Sequence, residues 1–193
     1  LGENADMAGE AASRGSLDLP GRQEALLKAV VALGKPVVLV LLNGRPLSIA
    51  WAAEHVPAIL EAWEPGTEGG NAVADVLFGD ANPGGKLPVS FPRSGSHAPL
   101  YYARTLTHAP ESSPMYRSRY WDGPVTPLYP FGFGLSYTTF AITNLRVSAP
   151  QVKVGQAVTV SADVTNTGPV AGDEVAQLYI HQRWGSDSRP QRE

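Results

Sequence analysis

WEPGTEGGNAVADVLFGDANPGGKLP, residues Trp63 to Pro88, carries a complete set of local folding instructions. An apolar segment ends at Trp63 and Pro65-Gly66 turns the chain. Thr67 stands where a side-chain oxygen caps a helix, and that helix is expected to run to Phe78. Gly79 and the Asn82-Pro83-Gly84-Gly85 cluster stop it, and a new strand is expected near Leu87. Strand, turn, helix, turn, strand is the repeating unit of an α/β sandwich.

Working upstream, the same alternation continues. Ala58 to Trp63 reads as a buried strand and Ser48 to Glu54 as a short helix, with Asn43-Gly44-Arg45-Pro46 as a tight turn before it. Pro36 to Leu42 is apolar at every position, the pattern of a central strand covered by helices on both faces. Before it, Gln23 to Leu33 reads as a helix whose Leu26, Leu27, Val30 and Val31 make one buried stripe, closed by Gly34. Residues 1 to 15 are loop-like, and Leu19-Pro20-Gly21 punctuates the helix start. Parallel sheets built this way place ligand-contacting loops at the carboxyl ends of their strands. The loops of interest therefore follow strand ends near Leu1, Leu42 and Trp63.

Downstream, helical periodicity disappears from Pro92 to Pro130, and a loop of that length is either functional or a connector. Phe131 to Tyr137 leads into period-two segments at 140–147, 158–166 and 174–181, the pattern of antiparallel strands in a β sandwich. The expected organisation is α/β: a partial three-layer α/β/α sandwich over 1–91, a connecting segment over 92–134, and an incomplete fibronectin type III-like sandwich over 135–193.

Three stretches closely resemble family 3 glycoside hydrolases, the retaining β-glucosidases and their relatives: Trp63 to Pro88, the YPFGFGLSY segment from Tyr129 to Tyr137, and Asn166-Thr167-Gly168. The resemblance is to the family's middle domain and the start of a fibronectin type III-like domain, and it looks most like the exported bacterial members. It implies hydrolysis of β-linked glucosides or oligosaccharides, no cofactor, and a periplasmic or secreted location. It also implies that the nucleophilic aspartate lies on a preceding (β/α)8 barrel while the general acid/base glutamate comes from a sandwich loop reaching over to it. The corresponding loop here is Gly2 to Arg14. Glu10, followed by Arg14 and Leu17-Asp18-Leu19-Pro20, matches the family spacing best, and Glu3 at the strand end is the second candidate. A carboxylic acid that donates a proton near neutrality needs burial or a neighbouring negative charge. The loop by itself is expected to supply neither, and with the nucleophile on a separate barrel the chain alone is expected to be inactive. A β-xylosidase of the same family and a noncatalytic sugar-binding or scaffold module are the alternatives.

Other residues bear on structure first. Glu68 is placed to favour a helix N-terminus, and Arg45 reads as a turn-fixing ion-pair partner ahead of a sugar ligand. Tyr116, Arg117, Arg119, Tyr120 and Trp121 form an aromatic and guanidinium cluster suited to sealing a domain interface. Gly79 to Lys86 resembles a phosphate loop but has Leu87 where a hydroxyl is required, so it is read as a turn. His55, His97, His108 and His181 lack ligand spacing, and with no cysteine no metal is expected.

Composition narrows the partners. Fifteen basic against eighteen acidic residues give a net charge of −3 with no basic block, which disfavours nucleic acid. The longest apolar run is too short to span a bilayer. The first residue is Leu1 and the last strands are too few for a full sandwich, so an internal piece of a longer protein is expected, with unpaired strand edges that favour self-association.

Overall fold

The computed structural model describes residues 1–103 and 120–180. In chain order the elements are β1 (Ala8–Gly9), β2 (Ala12–Ser13), α1 (Gln23–Val31), β3 (Val38–Leu41), α2 (Ala50–His55), β4 (Ala58–Glu61), α3 (Gly69–Phe78), β5 (Phe140–Val147) and β6 (Val160–Asn166). The fold is mixed α/β.

β3 and β4 are parallel, with Val38 opposite Ala58 and Leu41 opposite Glu61. The first residues run parallel along the other side of β3: Leu42 N donates to Leu1 O and Glu3 N donates to Leu42 O. Gly2 passes so close to Leu42 that a Cβ would overlap its carbonyl oxygen, and its φ of +133° excludes other residues again. On its free side the Gln23 amide reads both backbone groups of Gly2, accepting from its N–H at 2.7 Å and donating to its carbonyl at 2.8 Å. A side chain from α1 thus takes the place of a neighbouring strand.

Leu39 and Leu41 point into the core with Leu27 of α1, Ala52 of α2, and Leu19, Leu47, Ile49, Val56 and Phe91. Full burial of a leucine contributes about 2 kcal/mol through apolar area alone. The α1 stripe is narrower than its periodicity predicts: Leu27 is buried and Val31 half-buried, while Leu26 and Val30 are exposed. Val38 and Leu42, on the other face of the β3 line, are likewise open. The apolar reading of both faces holds in sequence, and among the described residues only one face is packed.

Several boundaries shift: α1 ends at Val31 and not Leu33, α2 covers Ala50–His55 and not Ser48 to Glu54, and β4 ends at Glu61 and not Trp63. Two further expectations change. The α3 N-cap is Glu68 and not Thr67, with no side-chain cap hydrogen bond. The turn at Gly66 explains the shift: Gly69 N donates to Gly66 O, so the turn before the helix consumes Thr67. Leu87 is not in a named strand, yet its N–H donates to Phe133 O and its carbonyl accepts from Gly132 N, and Phe91 pairs antiparallel with Tyr129. Gly34 takes the left-handed φ of +68° after α1, as its place in the sequence predicts.

β5 and β6 form an antiparallel pair with a register shift between Thr143 and Arg146, where Asn144 has φ +53°. The strand expected over 174–181 does not form within its described residues 174–180. Trp63, Phe91, Tyr129 and Phe133 make a continuous aromatic line, with centroid separations of 5.8, 6.4 and 4.9 Å, from the parallel sheet into the FGFG segment. This line half-buries Tyr129 and pushes its phenol above the usual range by desolvation. His97 stacks on Tyr120 at 4.8 Å, whereas Trp121 stands almost wholly exposed. Tyr116, Arg117 and Arg119 of the aromatic and guanidinium cluster lie outside the described residues, as do His108 and His181.

Asn82, in the turn after α3, ties this α/β part to the segments before β5 and after β6. Its Oδ1 accepts from Ser136 Oγ at 2.9 Å and Tyr137 N at 2.8 Å, and its Nδ2 donates to Ala171 O at 2.9 Å. Lys86 adds a bond to Gly134 O and an ion pair with Glu174 at 3.2 Å. Replacing Asn82 with Ala should destabilise the junction by about 1–3 kcal/mol, since three polar partners lose their bonds at once. Urea unfolding together with limited proteolysis near residues 134–138 checks this; unchanged stability and cleavage would show that Asn82 does not hold the junction.

Candidate functional site

The chain leaves its parallel pairing with Leu42 at Glu3 and makes a closed excursion before returning at Arg14. Asn4 starts it: its carbonyl accepts from Met7 N and Ala8 N, and its Oδ1 accepts from Asp6 N. β1 and β2 then pair, Ala8 with Ser13 and Gly9 with Ala12, leaving Glu10 and Ala11 as a two-residue tip. Ala11 sits at φ +58°. A left-handed alanine costs roughly 1–2 kcal/mol, so the pairing on either side must hold it there.

Glu10 is exposed, and among the described residues it has no hydrogen bond or ion pair. Glu3 is its opposite. The Glu3 side chain has no exposed surface and is shared by two guanidinium groups, Arg14 at 2.8 Å and Arg45 at 2.9 Å. Arg45 reaches it from the turn after β3 with Nε and Nη2, while Nη1 donates to Arg14 O at 2.6 Å and Ser13 Oγ at 3.2 Å. Nη2 also reaches Ser16 O, and Arg14 Nη2 donates to Asp18 O at 2.7 Å. The two ends of the excursion are therefore joined by one ion pair and bolted to the β3 turn by a second.

That turn is shaped for the purpose. Asn43, 1% exposed, takes the Trp63 carbonyl with its N–H and donates from Nδ2 to Arg45 O at 2.9 Å. Gly44 lies against Ala8 and the Glu64 carboxylate, where a Cβ would meet Glu64 Oε1 at 3.1 Å. Behind it, at the carboxyl end of β4, Glu61 accepts from Trp63 N at 3.0 Å and from Asn43 Nδ2 at 3.3 Å. Trp63 itself holds φ +51°. Hairpin, β3 turn and β4 end thus gather at the carboxyl edge of the parallel strands, with backbone strain at two non-glycine positions.

The family model "Glycosyl hydrolase family 3 C-terminal domain" matches residues 1–137. The chain belongs to glycosyl hydrolase family 3. A "Periplasmic beta-glucosidase" of Salmonella typhimurium is 50% identical over 193 residues, covering 98% of this chain and 25% of that protein. A "Beta-xylosidase" of Formosa agariphila is 45% identical over 98% of this chain and 26% of its own length. A crystal structure of a beta-glucosidase from Listeria innocua in complex with glucose superposes with a TM-score of 0.92 at 41% identity, covering 100% of this chain and 27% of that one. The chain spans about a quarter of the length of the relatives it matches.

Within the family 3 domain, the two glutamates named from sequence occupy the same loop but opposite settings, Glu10 at the tip and Glu3 at the neck. Arg45 is an ion-pair partner, as the turn reading expects, and Glu68 is an exposed N-cap residue bonded to Asn71 Nδ2. His55 stacks on Trp51 and bonds its carbonyl. Among the described residues no group of acidic, histidine or cysteine side chains is arranged to hold a metal. Glu61 was not anticipated; its signal was a carboxylate ending an otherwise apolar strand.

Burial lifts the Glu61 carboxyl from its ordinary 4.5 to about 7, with the Trp63 and Asn43 bonds opposing the shift. A pKa raised on folding means that the folded state holds the proton more tightly than the unfolded chain. Its contribution is present in full below about 4.5 and is lost as pH rises through about 7. Glu61→Gln should therefore flatten the decline in stability between pH 4.5 and 7. After allowance for screening at a half-open site, it should be more stable than the parent at pH 8 by roughly 1–2 kcal/mol. Urea melts at pH 5 and pH 8 measure the difference, and parallel pH profiles for the two proteins would refute it.

Proposed function

We propose that this chain is the acid/base-bearing part of a retaining β-glucosidase that removes terminal β-D-glucosyl residues, with Glu10 as the proton donor. The reading rests on one observation: an unpaired, exposed glutamate at the tip of a strained hairpin, standing out from the carboxyl edge of the sheet. The glucosidase similarity at 50% identity supports it over a xylosidase, and the same relative supports a periplasmic or secreted location. No helix among the described residues is long and apolar enough to cross a membrane.

Retaining hydrolysis uses two carboxyl groups about 5–5.5 Å apart. On this proposal an aspartate carboxylate of the preceding barrel attacks the anomeric carbon while Glu10 gives its proton to the departing glycosidic oxygen. The C–O bond breaks and a glycosyl ester forms. Water then attacks the same carbon, its proton passes to the Glu10 carboxylate, and the aspartate leaves as carboxylate. Glu3 takes no part, since its oxygens accept from Arg14 and Arg45 and its side chain has no surface on which a substrate can land. The finer architecture proposed with this function is a partial three-layer sandwich over 1–91, its open face around Val38 and Leu42 covered by a second layer, followed by a connector over 92–134 and a fibronectin type III-like domain from 135.

In the intact protein, Glu10→Gln should cut kcat/KM for phenyl β-glucoside by about 100-fold or more, the usual size of a general-acid contribution. Dinitrophenyl β-glucoside, whose leaving group needs no proton, should keep its kcat/KM, and azide should speed its turnover. This chain alone should not cleave p-nitrophenyl β-glucoside. Wild-type kinetics in Glu10→Gln, or turnover by the chain alone, would overturn the assignment.

A further inference from the structure

We infer that Arg45, with Glu3 and Arg14, is a positioning group for Glu10, fixing the direction in which the hairpin presents it. This rests on the reading of Glu10 as proton donor given above. The excursion from Asn4 to Ser13 has only two covalent attachments to the fold, and both lie within the reach of one guanidinium. Arg45 grips the Glu3 carboxylate at one end of the neck and the carbonyls of Arg14 and Ser16 at the other. Arg14 closes the neck directly onto Glu3. The bonds are directional, and a planar fork cannot rotate without breaking several of them together. A hairpin held this way can tilt only if the ion-pair cluster opens.

The cluster is separate from the reacting groups. The Glu3 side chain is fully covered, and the Arg14 and Arg45 side chains are each about one-fifth exposed and turned onto protein oxygens. What it controls is the pose of the tip. A misplacement of about 1 Å in a reacting group costs on the order of 100-fold in rate, so loosening the neck should act on proton transfer before anything else.

The test uses the intact protein and three variants: Glu10→Gln, Arg45→Ala and Arg45→Lys. A positioning role predicts that Arg45→Ala lowers kcat/KM for phenyl β-glucoside by about 100-fold and for dinitrophenyl β-glucoside by less than about threefold. Azide should accelerate its turnover of the activated substrate, as for Glu10→Gln. Arg45→Lys, which keeps the charge and loses the fork, should fall between parent and Ala. The Glu10→Gln/Arg45→Ala pair should be no slower on phenyl β-glucoside than Glu10→Gln. If Arg45→Ala does not fold, the Lys variant carries the same comparison. Equal loss on both substrates in a folded variant, or additive losses in the pair, overturns the inference and leaves Glu10 as the acid. Parent-like selectivity in Glu10→Gln itself removes the functional reading and this inference with it.

Discussion

A buried carboxylate held between two guanidinium groups is the constraint on which this end of the molecule depends. Glu3 ends the segment paired with Leu42, Arg14 ends the loop that leaves it, and Arg45 comes from the turn after β3. Each component alone is costly: an unpaired charge without solvent destabilises a fold by several kcal/mol. Together they convert three separate chain segments into one unit. The Gly2 backbone beside Leu42 and the Gln23 amide across it then fix where Glu3 begins, so the cluster inherits its position from the sheet.

How much of this was readable beforehand depends on the range of the interaction concerned. β3, β4 and the three helices were legible because their signals are local: continuous apolar runs, a glycine after α1, proline and glycine turns. Thr67 misled because capping propensity competes with the Gly66 turn, and the turn won. The exposed half of the α1 stripe was invisible because period alone does not say whether a partner covers it. At the site, the loop could be named from its resemblance, but the difference between Glu3 and Glu10 could not. That difference comes from Arg45, more than forty residues away along the chain, and no local pattern records such a pairing. Glu61 is similar: the burial that dominates its environment is tertiary, and of its two bonds only the one from Trp63 is local, the other coming from Asn43.

The strained residues sort with the same logic. Ala11 and Trp63 both hold left-handed backbone and both stand at the carboxyl edge of the parallel strands. Neither has a glycine's freedom, so surrounding bonds must carry the cost. For Ala11 these are the β1–β2 pairing and the neck beneath it. For Trp63 they are the Glu61 carboxylate on its N–H, Asn43 on its carbonyl, and the Phe91 ring against its indole. The aromatic line from Trp63 through Tyr129 to Phe133 continues toward the Asn82 junction, which makes the edge of the sheet and the start of the β5–β6 pair parts of one packed path.

An apolar neck could close the excursion as stably as an ionic one, since buried ion pairs are often no better than well-packed hydrophobic replacements. What apolar packing lacks is direction: methyl groups slide and rotate at little cost, whereas a guanidinium fork on a carboxylate and two carbonyls has one acceptable orientation. On the proposed reading this distinction decides whether a divided active site can work. A proton donor carried on one folded unit and a nucleophile on another must meet within about 5–5.5 Å, and the tip that spans the gap cannot also be buried in its own unit. Glu10 therefore has to be free at its end and rigid at its base. On that reading the Glu3 cluster holds the base through directed bonds set back from the tip and leaves the exposed carboxyl free to reach the neighbouring unit.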